Sequence, residues 1–134
     1  MLKNFGLFKA VRSFINKLNT SESPSVHFNS NIEAKRFTFN VEVVLYRVIC
    51  ELISNTLSHA NANNIYIDLV ADKTHLSLKY IDDGNGFDEK RLEEEFIGLG
   101  YSNIRSRIKS LNGSFDIYTK PGEGVKVFTQ IKID

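Results

Sequence analysis

From Val41 to about His59, apolar residues recur at helical spacing: Val44, Leu45, Val48, Ile49, Leu52, Ile53 and Leu57. Together they form an arc much wider than a narrow seam, as on a helix that covers a sheet. Asn40 is the expected N-cap, and Asn61 to Asn64 stop the helix. The sheet follows at once. Ile65, Ile67 and Leu69 alternate in one strand, and Leu76, Leu78 and Tyr80 in the next, around a turn at Ala71–Thr74.

The rest of the chain adds to both layers. Phe5, Leu7 or Phe8, Val11, Phe14, Ile15 and Leu18 mark an amphipathic first helix, closed by a polar run before Pro24. Val26 to Asn29 reads as a short strand. Asp88 to Phe96 is a charged segment of marginal helical character. Gly98 and Gly100 turn the chain into a helix carrying Ile104, Ile108 and Leu111, with Asn112-Gly113 as its stop. Two further strands, Ser114 to Thr119 and Val125 to Ile133, flank a turn supplied by Pro121, Gly122 and Gly124. Helices interleaved with late hairpin strands predict a two-layer α/β sandwich with a mixed sheet.

Composition narrows the class. With 134 residues the chain has room for one domain, residues 1–134, and 42% hydrophobic residues suffice for a core. Seventeen Lys and Arg against 16 Asp and Glu leave a net charge of +1, which gives no electrostatic reason for a nucleic-acid or membrane-surface partner. The lone Cys50 forms no internal disulfide and fits a reducing compartment; by helical phase it faces outward as a free thiol. No stretch approaches the roughly 20 apolar residues that span a bilayer. The expectation is a soluble cytoplasmic domain.

Three groups of residues could carry chemistry. Glu51, Asn55 and His59, four apart, form a ridge drifting roughly 40° per step beside the apolar arc. Such a ridge could hold a metal and a polar ligand, or be an ordinary solvated flank. Asp82 closes a strand and leads into Asp83-Gly84-Asn85-Gly86-Phe87, where the glycines either admit close approach or serve a turn. A calcium loop starting at Asp83 fails at Phe87 and Asp88, and a dinucleotide fingerprint starting at Gly84 fails at Glu89. Gly98-Leu99-Gly100, opening a helix, could present N–H groups to an anion or be a tight connection. It lacks the third glycine of a dinucleotide loop and the Gly-Lys-Ser/Thr ending of a Walker loop.

In order, E-x-x-x-N-x-x-x-H on a helix, D-x-G-x-G after a strand and G-L-G before a helix resemble the GHKL (Bergerat-fold) ATPases. The likeness is to the catalytic and ATP-binding domain of bacterial sensor histidine kinases, in the nitrate-sensor and thermosensor subgroup with a short lid. It runs from about Phe5 to Ile133. It implies a mixed, mostly antiparallel sheet covered on one face by about three helices, and ATP with Mg²⁺ as cofactors. Asn55 would then ligate Mg²⁺ through its amide oxygen, and Glu51 would be the catalytic residue that orients the metal's water or polarises the nucleophile. His59 would lie near the phosphates, and Asp82 would accept the adenine amino group. Gly84 and Gly86 would let backbone pack around the base, and Gly98, Leu99, Gly100 and Tyr101 would offer N–H groups to the phosphates.

The resemblance also implies departures and partners. Where the family commonly places Thr or Ser after the hairpin glycine to support the adenine-binding Asp, this chain has Val125. Tyr101 replaces an aliphatic residue. Both are expected to weaken adenine affinity without breaking the metal or phosphate sites. His27, His59 and His75 precede Phe28, Ala60 and Leu76, not the acidic residue that usually follows a phosphoacceptor. The acceptor is therefore expected on a separate dimerisation domain, with a response regulator downstream, and the isolated domain is expected to be a nearly inactive monomer. An anti-sigma-type serine kinase and a non-catalytic ATP-switched module are the alternative readings.

Overall fold

The wide apolar arc is buried as its period requires. Helix α2 spans Phe39–Asn55, and its Leu45, Val48, Ile49, Leu52 and Ile53 are each at most 1% exposed. The computed structural model describes residues 2–19, 24–88 and 100–133, without the side chains of His59 and Ala60. After Asn55 the helix widens into a π-turn, Thr56–Ala60, which ends at Asn61 in the left-handed region. Asn40 lies inside the first turn of α2 and is not its cap. The flanking residue is Thr38, whose carbonyl accepts the Glu42 N–H at 3.1 Å. Thr38 makes no side-chain cap, and the Glu42 carboxylate reaches back past it to accept the Phe37 N–H at 3.3 Å.

Beneath α2 lies a five-stranded sheet: β1 (Ser25–Ser30), β2 (Asn64–Ala71), β3 (His75–Asp82), β4 (Ser114–Thr119) and β5 (Val125–Lys132). The strand order is β1-β2-β3-β5-β4. β1 runs parallel to β2, with α2 as the crossover, and every other pair is antiparallel. Helices α1 (Leu2–Leu18) and α3 (Tyr101–Lys109) join α2 in one core with the inward residues of β2, β3 and β5. The opposite face is open, carrying Tyr66, Val70 and Tyr118 exposed. This is the two-layer mixed-sheet sandwich that the pattern predicts. The charged segment at 89–97 and the loop residues Gly98 and Leu99 lie outside the described residues.

One detail differs from the periodicity. The first helix is broken at Gly6 (φ 87°, ψ 178°), where the apolar stripe suggests continuity. Arg36 fills the break: it donates to the Glu42 carboxylate through Nε and Nη2, each at 3.1 Å, and from Nη2 to the Lys3 carbonyl at 3.2 Å. A Cβ at position 6 would stand 2.7 Å from Arg36 Cδ on backbone of positive φ, a position that favours glycine. At the end of α3, the left-handed stop is Asn112 (φ 58°), and the Gly113 N–H returns to the Ile108 carbonyl at 3.0 Å.

The loop after β3 is fastened to the β4–β5 turn. Gly122 N–H donates to the Asn85 carbonyl, and Phe87 N–H donates to the Thr119 hydroxyl at 3.1 Å. Gly86 has φ 60°, and a Cβ on it would lie 2.2 Å from the Lys120 carbonyl oxygen. The glycine thus answers a close approach of protein backbone.

Glu42 is fully buried, so losing its partner strands a charge, whereas replacing both members removes the problem. Arg36→Ala is therefore expected to be less stable than Arg36→Ala combined with Glu42→Leu; urea denaturation of the two variants checks the order. Gly86→Ala is expected to cost about 1–3 kcal/mol from left-handed strain, beyond which the clash adds. An unchanged denaturation midpoint would mean that the loop leaves the hairpin freely.

Candidate functional site

Asp82 ends β3 and is 3% exposed, a position a carboxylate tolerates only with partners. Its Oδ1 accepts the N–H of Gly84 at 3.0 Å and of Val125 at 3.2 Å. Its Oδ2 accepts the hydroxyl of Thr56 at 2.8 Å. Val125 stands directly opposite Asp82 in the β3–β5 register, so its backbone makes the contact although its side chain has no polar atom.

Behind Asp82 lies Tyr80, two residues earlier and therefore on the same face of β3. Its hydroxyl donates to the Leu52 carbonyl at 3.0 Å and makes a short hydrogen bond with the Thr56 hydroxyl. Burial pushes the Tyr80 phenol far up, so it stays a proton donor.

Glu51 and Asn55 sit one turn apart near the end of α2, both half-buried. Gly100 comes right against Glu51, for a Cβ there would lie 2.5 Å from Glu51 Oε1. Gly100 flanks α3 in the left-handed region, and its carbonyl accepts the N–H groups of Asn103 and Ile104. Tyr101 is buried, hydrogen-bonded to the Asn55 side chain, and its ring centroid is 6.1 Å from that of Phe87. Burial, with the charge of Asp82 adding, raises the Tyr101 hydroxyl above the ordinary tyrosine range.

The structure therefore brings Glu51, Asn55, Asp82, Gly84, Gly100 and Tyr101 to one end of the sheet, where α2 ends and α3 begins, with Gly86 in the loop after β3, against the β4–β5 turn. His59 contributes its backbone to the π-turn; its side chain, like Gly98 and Leu99, is outside the described residues. From Asn55 to His59 the backbone passes through a turn of i→i+5 bonding.

Three residues of this neighbourhood escape the motif pattern: Thr56, Tyr80 and Thr119. Thr119 is 5% exposed and donates to the Gly124 carbonyl at 2.7 Å while holding Phe87 N–H. Their signal was positional, since Thr56 adjoins Asn55 and Tyr80 shares the inward face with Asp82. Cys50 is half-buried beside Tyr46, not turned fully outward, and burial raises its thiol above the usual range.

Known proteins match the same layout. The chain is 32% identical over 137 aligned residues to the sensor histidine kinase ComP of Bacillus subtilis (strain 168), covering 99% of this chain and 17% of that protein. It is 28% identical to the signal transduction histidine-protein kinase/phosphatase DegS of Brevibacillus brevis, covering 98% of this chain and 34% of that one. It thus spans a minor part of both relatives. Among solved structures, the histidine kinase domain of the Erythrobacter litoralis EL346 blue-light activated histidine kinase superposes with a TM-score of 0.72 at 18% identity. That likeness covers 93% of this chain and 58% of the other, and shows the fold. Residues 40–134, from the start of α2 through the site to the last strand, match one family description. The chain belongs to the histidine kinase-, DNA gyrase B- and HSP90-like ATPase family.

Proposed function

We propose that residues 1–134 form the ATP-binding catalytic domain of a sensor histidine kinase. The domain binds Mg²⁺–ATP and donates the γ-phosphoryl group to a histidine on a separate dimerisation domain, with a response regulator downstream. The observation that carries the reading is Asp82, a buried carboxylate at the end of a strand, held from three sides in a family of ATPases. An exocyclic amino group is the donor that such a carboxylate suits.

The donor set fits the metal this reading needs. Among the described residues no cluster of three or more His, Cys, Asp or Glu could hold a cation alone. Magnesium typically takes one or two protein oxygens and fills its shell with phosphate and water. The amide oxygen of Asn55 would be that protein ligand, with Glu51 one turn back. Bound there, the ion would supply charge neutralisation on the phosphates, the main demand of phosphoryl transfer. Glu51 would orient the attacking group, His59 would lie by the phosphates, and Gly98, Leu99, Gly100 and Tyr101 would offer N–H groups at the start of α3. Among the described residues no helix is long and apolar enough to cross a membrane. We place the domain in the cytoplasm, as a monomer when isolated.

Calorimetric titration of Mg²⁺–ATP is expected to show saturable binding that Asp82→Asn weakens at least tenfold, the scale of a lost charged hydrogen bond. Absence of binding by the unaltered chain would sink the reading. Asn55→Ala is expected to leave ATP affinity nearly indifferent to Mg²⁺, measured by titration with and without a chelator. In a longer kinase with its dimerisation domain, Glu51→Gln is expected to cut phosphohistidine formation while ATP affinity is kept. Equal loss of both would assign Glu51 to binding instead.

A further inference from the structure

We propose that Thr56 and Tyr80 are positioning residues that fix the Asp82 carboxylate for an amino-bearing purine, and so set the preference of the site for adenine. The inference rests on the reading of Asp82 as the adenine acceptor and deepens it.

A carboxylate side chain turns easily about its last bond, whose torsional well is broad. The carboxylate is planar, so that torsion carries both oxygens together, and the Gly84 and Val125 N–H groups restrain it from the Oδ1 side alone. The Thr56 hydroxyl on Oδ2 is the third point, and it comes from a different element, the end of α2. An ionised carboxylate has about four acceptor directions. Two are taken on Oδ1 and one on Oδ2, which leaves one direction on Oδ2 for an incoming donor.

The proton inventory makes Tyr80 part of the device. Thr56 and Tyr80 bring one hydroxyl proton each. The acceptors are Asp82 Oδ2, the Leu52 carbonyl and the Thr56 oxygen itself. A threonine in a helix commonly gives its proton to the carbonyl four residues back, here Leu52 at 3.2 Å. Tyr80 directs its one proton to the Thr56 oxygen and to that carbonyl, 3.0 Å away, and so stands against a Thr56 bond to Leu52. The Thr56 proton then goes to the charged acceptor at 2.8 Å, the stronger bond of the two. Across the strand, Val125 offers no hydroxyl that could replace Thr56. Thr56 and Asp82 are both 3% exposed and Tyr80 1%, so water is a poor substitute for either hydroxyl.

The test compares affinities for ATP and for purine riboside triphosphate, which lacks the amino group, by titration calorimetry. The unaltered chain is expected to prefer ATP. Thr56→Val, which keeps the shape and loses the hydroxyl, is expected to weaken ATP binding roughly tenfold and to narrow the preference. Thr56→Ser, which keeps the hydroxyl, is expected to retain both. Tyr80→Phe frees the Leu52 carbonyl to take the Thr56 proton, and is expected to shift both quantities in the same direction by a smaller factor. It also serves as the test if thermal unfolding shows that Thr56→Val does not fold. An unaltered chain without preference for ATP would refute the adenine reading itself. A chain with that preference, unchanged in Thr56→Val or in Tyr80→Phe, would overturn the roles proposed here while leaving the adenine reading standing. So would a Thr56→Ser variant as impaired as Thr56→Val, which would assign the loss to packing.

Discussion

One buried carboxylate ties the site together. Asp82 terminates β3, takes an N–H from the following loop through Gly84, another from β5 through Val125, and a hydroxyl from the end of α2 through Thr56. Each such bond to a charged group contributes about 1.5–3 kcal/mol, while burying the charge costs several kcal/mol. The two sides nearly offset. What the arrangement yields is less stability than registration, since one atom group fixes strand, hairpin, loop and helix against one another.

How much of this was legible in the chain depended on how local the cause was. The layers, strand pairing and burial of α2 followed from periods of two and about 3.6, because each residue's face is set by its neighbours in sequence. Glu51, Asn55, Asp82 and Gly100 could be picked out because their motifs are contiguous. Whether they meet was another matter, decided by the crossover between β1 and β2 and by the insertion of β5 between β3 and β4. The break at Gly6 was hidden because the residue that fills it, Arg36, lies thirty positions further along the chain. Asn40 misses the cap for a nearer reason: α2 begins one residue earlier, at Phe39, and Thr38 flanks it. Thr56 and Tyr80 carry no motif and became visible only when the fold set the Thr56 hydroxyl on Asp82 and the Tyr80 hydroxyl on Thr56.

The two departures from the family pattern differ in their consequences. At Val125 the side chain has lost any polar contribution, yet the backbone at that position still binds Asp82. At Tyr101 something has been added, for a buried phenol now holds the side chain of Asn55 and leans toward the ring of Phe87. Aromatic pairs at such separations contribute modestly beyond their buried area. Tyr101 therefore links the start of α3 to the end of α2 and to the loop after β3.

Helix α2 spans 17 residues, about 25 Å at 1.5 Å per residue. Near its first turn Glu42 is locked to Arg36, and its last residue is Asn55, followed directly by Thr56 on Asp82. A rod pinned at both ends cannot change its length. One inserted or deleted residue between the pins would turn the far end by about 100°, carrying Asn55 and Thr56 away from their partners together while preserving every amino-acid type. Variation along this helix is thus confined to exchanges of side chain, and its residue count is as much a part of the site as the residues themselves.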